Sequence, residues 1–79
     1  MNKDILNSVK KIISEIVDIP INDIPDNASP NIINEWDSMN HLKIILSIEE
    51  EYNIKLTKDE IISMINTEII VRIIETYIS

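Results

Sequence analysis

The sequence lacks cysteine and glycine altogether and contains one histidine, His41, in 79 residues. Without cysteine the chain can form neither disulfides nor thiolate metal sites. Without glycine it cannot build the glycine-rich loops that cradle phosphate groups in nucleotide-binding enzymes. Serine-based catalysis would have one imidazole to use as a general base. The inventory of catalytic groups is therefore small.

Basic residues are scarce as well, since 7 lysines and arginines stand against 14 aspartates and glutamates and give a net charge of −7. Nucleic-acid backbones and anionic membranes would repel such a chain, so we expect neither as a partner and favour proteins with a basic surface. No apolar run approaches membrane-spanning length, and residues 1–4 (MNKD) lack the apolar stretch of a secretory signal. A cytoplasmic location is the resulting expectation.

What the sequence has in abundance is isoleucine, within an apolar content of 44%. That is enough for one compact core and too much for a disordered tail. The length allows a single domain, residues 1–79.

The first half of the chain predicts a helix followed by a long connection. Apolar residues at helical spacing over residues 5–16 predict a first helix that ends near Asp18 or Ile19. Residues 20–36 form an unusually long loop for so small a domain, with a short helical turn expected after Pro30. The residues expected to pack this loop onto the core are Ile21, Ile24, Ile32 and Ile33.

The second helix is predicted from Ser38 to Tyr52, with Asp37 as its N-cap and Asn53 as a left-handed stop. Helical spacing divides its apolar residues into two stripes. One stripe would face the core, and the other would be open to a partner. The core stripe comprises Ile44, Ile45, Ile48 and Tyr52, and the outer stripe comprises Met39, Leu42 and Leu46, flanked by Lys43 and Glu49.

Two further helices are predicted near the end of the sequence. Residues 57–60 (TKDE) indicate a capping box for a short third helix through Ile65, and a last helix begins at about Thr67. The fold class is therefore all-α, a small helical bundle. One face of the last helix is expected to carry Ile70, Ile73, Ile74, Tyr77 and Ile78.

Ser38 allows more than one chemical interpretation. As a nucleophile it would need His41, which lies one helical turn away but at the angle of the core stripe, and no oxyanion hole is evident. As an acceptor its hydroxyl would face solvent, and the helix N-terminus would stabilise an attached phosphodiester anion, with Met39 and Leu42 as apolar docking points. The structural alternative is that Asp37 and Ser38 only cap the helix.

Residues 37–39 (DSM), with an aliphatic helix that closes in residues 49–54 (EEEYNI), resemble the acyl and peptidyl carrier proteins. That family's signature is Asp-Ser-Leu at the start of the second helix, followed by an aliphatic helix that ends in acidic residues and an aromatic one. The match in length, acidity and helix order covers essentially the whole chain. The resemblance implies an up-down four-helix bundle with a long ordered loop between helices 1 and 2. It also implies a phosphopantetheine arm on Ser38, with Asp37 as part of the motif.

The resemblance further implies what would act with the chain. A magnesium-dependent phosphopantetheinyl transferase would install the arm from coenzyme A. A loading ligase and a downstream synthase or transferase would then use its thioesters, while the chain itself would be a monomer, would not be an enzyme and would hold no metal. The residues expected to meet partner proteins are Met39, Leu42, Lys43, Leu46, Glu49 and Glu50.

Departures from the family pattern bear on the pathway. Asn40 stands where fatty-acid carriers commonly have an aspartate, and Lys43 where they commonly have a glutamate. Met39 for leucine is nearly isosteric, and Trp36 replaces a glycine-containing approach. The charge changes at Asn40 and Lys43 favour a specialised carrier over a housekeeping fatty-acid carrier. An unmodified acidic adaptor that offers the outer stripe to a partner is the alternative from another class.

Overall fold

In the computed structural model, which describes residues 2–78, the chain forms four α-helices and one 3-10 helix, with no strand in that range. The predicted all-α class is confirmed. The elements are α1 (Lys3–Val17), the 3-10 helix (Ile21–Asp23), α2 (Ser38–Tyr52), α3 (Lys58–Ser63) and α4 (Thr67–Ile78).

Side-chain caps and two left-handed residues fix the helix ends in this glycine-free chain. At the start of α1 the Asn2 side chain accepts hydrogen bonds from the amides of Asp4 (2.9 Å) and Ile5 (3.2 Å). Asp18, with φ of 60°, closes α1, and Asn53, with φ of 53°, closes α2. Both adopt a conformation that glycine usually supplies. The predicted helix end near Asp18 and the predicted stop at Asn53 are confirmed.

The core lies where α1 packs against both α2 and α4. The predicted core stripe of α2 is confirmed for its three isoleucines, which are buried, and Tyr52 packs partly buried against them. Burial of these side chains, at roughly 25 cal/mol per Å² of apolar area, is the main stabilising contribution. The completely buried apolar residues from α1 and α4 are Val9, Ile13, Ile70, Val71 and Ile74.

The third and fourth helices differ from prediction at their ends. α3 ends at Ser63, short of the predicted Ile65, because Met64 leaves the helical conformation and buries its side chain in the core. In α4 the pattern places Tyr77 and Ile78 on the same face as Ile70 and Ile74, yet both are exposed, whereas Ile70 and Ile74 are buried. The Tyr77 hydroxyl donates to a carboxylate on α3 instead.

Hydrogen bonds attach the long connection between α1 and α2 to the start of α4. Thr67 is fully buried, its hydroxyl donates to the Asp26 carbonyl, and its amide donates to the Ala28 carbonyl at 3.0 Å. Lys10 of α1 adds an ion pair with Asp26 at 2.8 Å. The loop is thus ordered by long-range contacts that no local sequence signal specifies.

The loop's own isoleucines divide between core and solvent. Ile24 and Ile33 are buried as predicted, whereas Ile21 and Ile32 are exposed. Ile32 and Ile33 are adjacent in one turn after Pro30, and of the two only Ile33 turns its side chain to the core. Ile21 is the first residue of the 3-10 helix, and Ile24, directly after the helix, is the residue that packs into the core. The turn expected after Pro30 is a single hydrogen-bonded turn, from the Ile33 amide to the Ser29 carbonyl (2.9 Å).

Candidate functional site

Ser38 is the first residue of α2, and its side chain is exposed. Asp37 is the N-cap, as predicted, because its carboxylate accepts the Asn40 amide at 2.8 Å. The Asp37 carbonyl accepts the His41 amide, also at 2.8 Å, as the first bond of the helix. The serine hydroxyl therefore stands at the positive end of a 15-residue helix, where an attached anion is favoured.

The chain that leads to Ser38 is held rigidly. The Asn40 side-chain amide donates to the Glu35 carbonyl at 2.7 Å, and the Trp36 amide donates to the Ile33 carbonyl at 3.0 Å. An aspartate at position 40 could not donate to a carbonyl. Asn40 thus has a structural role that an aspartate at this position could not have.

His41 is half-buried and joins three elements. The Trp36 indole N–H donates to His41 Nδ1 at 3.1 Å, and His41 Nε2 lies 3.0 Å from the Ile61 carbonyl oxygen. Because an indole nitrogen only donates, Nδ1 must accept, and Nε2 therefore carries the proton that it donates to Ile61. The two rings stack with centroids 6.2 Å apart and planes at 25°. Both ring nitrogens have partners, and neither partner is Ser38, so this geometry gives the serine no general base.

An apolar groove of about 600 Å³ lies beside Ser38, between the start of α2 and the α3 region. Asp37, Ser38 and His41 supply its polar lining. The apolar lining comprises Pro30, Trp36, Leu42, Ile61, Ile62, Met64 and Ile65.

The contribution of α3 to this groove is absent from the sequence prediction. Ile62 and Ile65 are 64% and 58% exposed. The sequence pattern places them in the third helix and assigns them no part in a site. No local signal separates Ile62 from Ile61, since the adjacent isoleucines Ile44 and Ile45 of α2 are both buried.

The outer stripe is exposed as predicted. Met39, Leu42 and Leu46 are 69%, 57% and 64% accessible, and Lys43 beside them is also exposed. Leu42 belongs both to this stripe and to the groove. The stripe and the groove therefore form one continuous apolar surface next to Ser38.

The two predicted acidic partner residues differ in their surroundings. Glu49 is half-buried, and its carboxylate accepts the Leu56 amide at 2.8 Å, which braces the connection between α2 and α3. Glu50 is exposed and lines a different groove, together with Ile12 and Ile16 of α1. Of the pair, Glu50 is the more accessible to a partner.

Polar contacts also tie α3 to α4. The Glu60 carboxylate accepts the Thr57 amide at 2.8 Å, as the predicted capping box requires, and accepts the Tyr77 hydroxyl as well. These bonds, the Thr57 amide first, hold the pKa of Glu60 below its usual value. The bond to Glu60 raises the pKa of Tyr77.

No group of three or more acidic or histidine side chains suited to a metal ion occurs among residues 2–78. Within the same part of the chain, no helix combines the length and the apolar character needed to cross a bilayer.

No family model matches the chain, and no curated protein matches it significantly. The likeness to carrier proteins accordingly comes from the residues of this sequence alone.

Proposed function

We propose that this chain is a carrier protein that holds acyl or aminoacyl groups as thioesters on a phosphopantetheine arm attached to Ser38. The observation that carries the proposal is the position of Ser38. Its side chain is exposed at the N-terminus of α2 and lies at an apolar groove, while His41 is engaged elsewhere. An accessible serine without a base suits an acceptor of a group transferred by another enzyme, and does not suit a hydrolase nucleophile. The finer fold assignment, an up-down carrier bundle, belongs to the same proposal.

The residues present fit such an arm. The exposed Ser38 hydroxyl would hold it through a phosphodiester, and the positive end of α2 would favour that anion. Apolar side chains line the groove beside it, among them Leu42 and Ile62. The arm's thiol would supply the thioester chemistry that a chain without cysteine lacks.

The outer stripe supports docking of successive partner enzymes. Three large apolar side chains exposed on one helix face form a surface that a partner could cover, and the net charge of −7 favours a partner with basic residues. The partners would be a phosphopantetheinyl transferase, a loading ligase and a downstream synthase or transferase. A chain that must present α2 to successive partners would be a monomer, and we place it in the cytoplasm.

Intact-mass measurement tests the proposal. The purified chain is incubated with coenzyme A, magnesium and a broad-specificity phosphopantetheinyl transferase, and a mass gain of one phosphopantetheine group is expected. Ser38→Ala should abolish the gain. Ser63→Ala, at an exposed serine of α3, is the matched control and should retain it.

No gain in the wild type, or a gain that persists in Ser38→Ala, would sink the carrier assignment. The unmodified acidic adaptor would then be the better account of the exposed outer stripe. A pull-down with Leu46→Asp as the non-binding control would test it, since Leu46 is on the outer stripe and does not line the groove.

The charge of residue 43 bears on the type of pathway that the carrier would serve. Lys43 places a positive charge on the docking face, which would repel the basic surfaces of fatty-acid enzymes and favours a specialised pathway. Loading by a fatty-acid-synthesis acyl transferase is expected to improve in Lys43→Glu. If the wild type already loads as well as this variant, the housekeeping assignment is the better one.

A further inference from the structure

One imidazole connects both walls of the groove beside Ser38. His41 lies on the α2 wall and is bonded to Trp36 of the preceding loop, while its other nitrogen faces the Ile61 carbonyl of the α3 wall. We propose that these two hydrogen bonds, from Trp36 through His41 to Ile61, form a latch. The latch holds α3 closed on α2 and thereby sets the width of the groove.

α3 has few contacts of its own to hold it, apart from partly buried Ile61 and the buried Met64 that follows the helix. It has six residues, and none of them is fully buried. Its capping box and the Ser63 hydroxyl bond are local contacts within the helix. Among residues 2–78, the side-chain hydrogen bonds that join α3 to another element are His41 to Ile61 and Tyr77 to Glu60.

The chemistry of the latch depends on the protonation pattern of one ring. Trp36 is 2% exposed, so its indole N–H has little access to water and depends on His41 Nδ1 as acceptor. That bond leaves the proton on Nε2, and the Nε2–H group then donates a hydrogen bond to the Ile61 carbonyl. Each bond therefore favours the other, and removal of the imidazole loses both.

The latch makes His41 a positioning residue for the apolar surface next to Ser38. Ile62 lies on α3 and Ile65 just beyond its end, so an open latch would shift both relative to Leu42 across the groove. On the proposed function, this would change the space available to whatever Ser38 carries. The latch itself is a property of the unmodified chain and can be measured without any arm.

Native-state hydrogen exchange on the unmodified chain is the decisive experiment. His41→Leu fills the half-buried position with an apolar side chain and removes both hydrogen bonds. Amides of α3 are expected to exchange about tenfold faster, the effect of roughly one net hydrogen bond on the opening equilibrium, while amides at the centres of α1 and α4 change little. His41→Gln has both an acceptor and a donor and should restore much of the protection.

A second readout separates a latch from a merely structural contact. The Trp36 indole N–H proton resonance should shift in His41→Leu, and the methyl resonances of Ile62 and Ile65 should shift with it. Equal acceleration of exchange in all helices, unchanged exchange in α3, or no rescue by His41→Gln would overturn the proposal. A chain that fails to gain mass at Ser38 leaves this result unaffected, so the two proposals fail separately.

Discussion

The α1–α4 interface and the α2–α3 region are held together by different means. Across the first, Val9, Ile13, Ile70 and Ile74 are completely buried, and the amide of Asn2, the cap of α1, adds a hydrogen bond to the Glu75 carboxylate of α4 at 3.2 Å. In the second, the short α3 is held by the polar contacts of His41 and Tyr77, by buried Met64 and by Leu56, and exposes isoleucines to solvent. Burial of apolar side chains is the main contribution at the α1–α4 interface. In the α2–α3 region, beside Ser38, hydrogen bonds that one substitution can remove add to the burial of Met64 and Leu56. Regions that must open for a ligand are generally the less stable ones.

The sharpest test of this contrast is one substitution made in both regions. Ile13→Ala removes a fully buried side chain and should cost about 2–5 kcal/mol in the free energy of unfolding. Ile62→Ala, at an exposed position, should change it by less than about 0.5 kcal/mol. Urea titration followed by circular dichroism measures both. If Ile13→Ala does not fold, Ile13→Val, expected to cost about 0.5–1.5 kcal/mol, provides the comparison. Equal costs in the two regions would contradict the contrast.

The long loop belongs with the strongly held region, because buried Thr67 ties it to α4. Thr67→Val preserves the shape but leaves the Asp26 carbonyl without its hydroxyl donor, and it should cost about 1–3 kcal/mol. Thr67→Ser retains the donor and should cost less. Thermal unfolding of both variants, compared by calorimetry, measures the difference. A Thr67→Val variant as stable as the wild type, or a Thr67→Ser variant that loses more than Thr67→Val, would show that the hydroxyl bond does not tie the loop to α4.

The connection between α2 and α3 begins at left-handed Asn53, which offers a third test. Asn53→Ala places an ordinary side chain at φ of 53° and should cost about 1–2 kcal/mol, whereas Asn53→Gly should be tolerated. Urea titration gives the free energies, and hydrogen exchange shows where the loss occurs. We expect α3 amides to lose protection first. A loss spread evenly over α1 and α4 would mean that the two regions unfold as one.

Local features of this fold could be predicted from the sequence. Asp37, Asn53 and Thr57 act on neighbours within three or four residues, so their residue types alone indicate helix ends. The inward angle of His41 likewise follows from its position in α2. Its hydrogen-bond partners do not, since Ile61 is 20 residues away and is reached only through the packing of α3 on α2.

The candidate site shows the same division. Exposure of Ser38 and of the outer stripe follows from helical periodicity, and both are observed. The groove does not follow, because it exists only once Met64 turns inward and leaves Ile62 and Ile65 beside Leu42. Periodicity describes one helix at a time, and a groove is a property of two.

The smallest expected effect concerns the bond that ties α3 to α4. The pKa of Glu60 is lowered, so its contribution to stability is present above the usual glutamate value of 4.5 and is lost as the pH falls below it. The pKa of Tyr77 is raised, so its contribution is present below the usual tyrosine value of 10.0 and is lost as the pH rises through the raised value. Tyr77→Phe should move the pKa of Glu60 upward but not fully to 4.5, because the Thr57 amide, the larger cause, is unchanged. An NMR titration of the Glu60 carboxyl carbon measures this, with Tyr52→Phe as the control that leaves the pKa of Glu60 in place. An unmoved Glu60 pKa in Tyr77→Phe would remove this bond from the account of how α3 is held and leave the His41 latch as the side-chain bond that holds it.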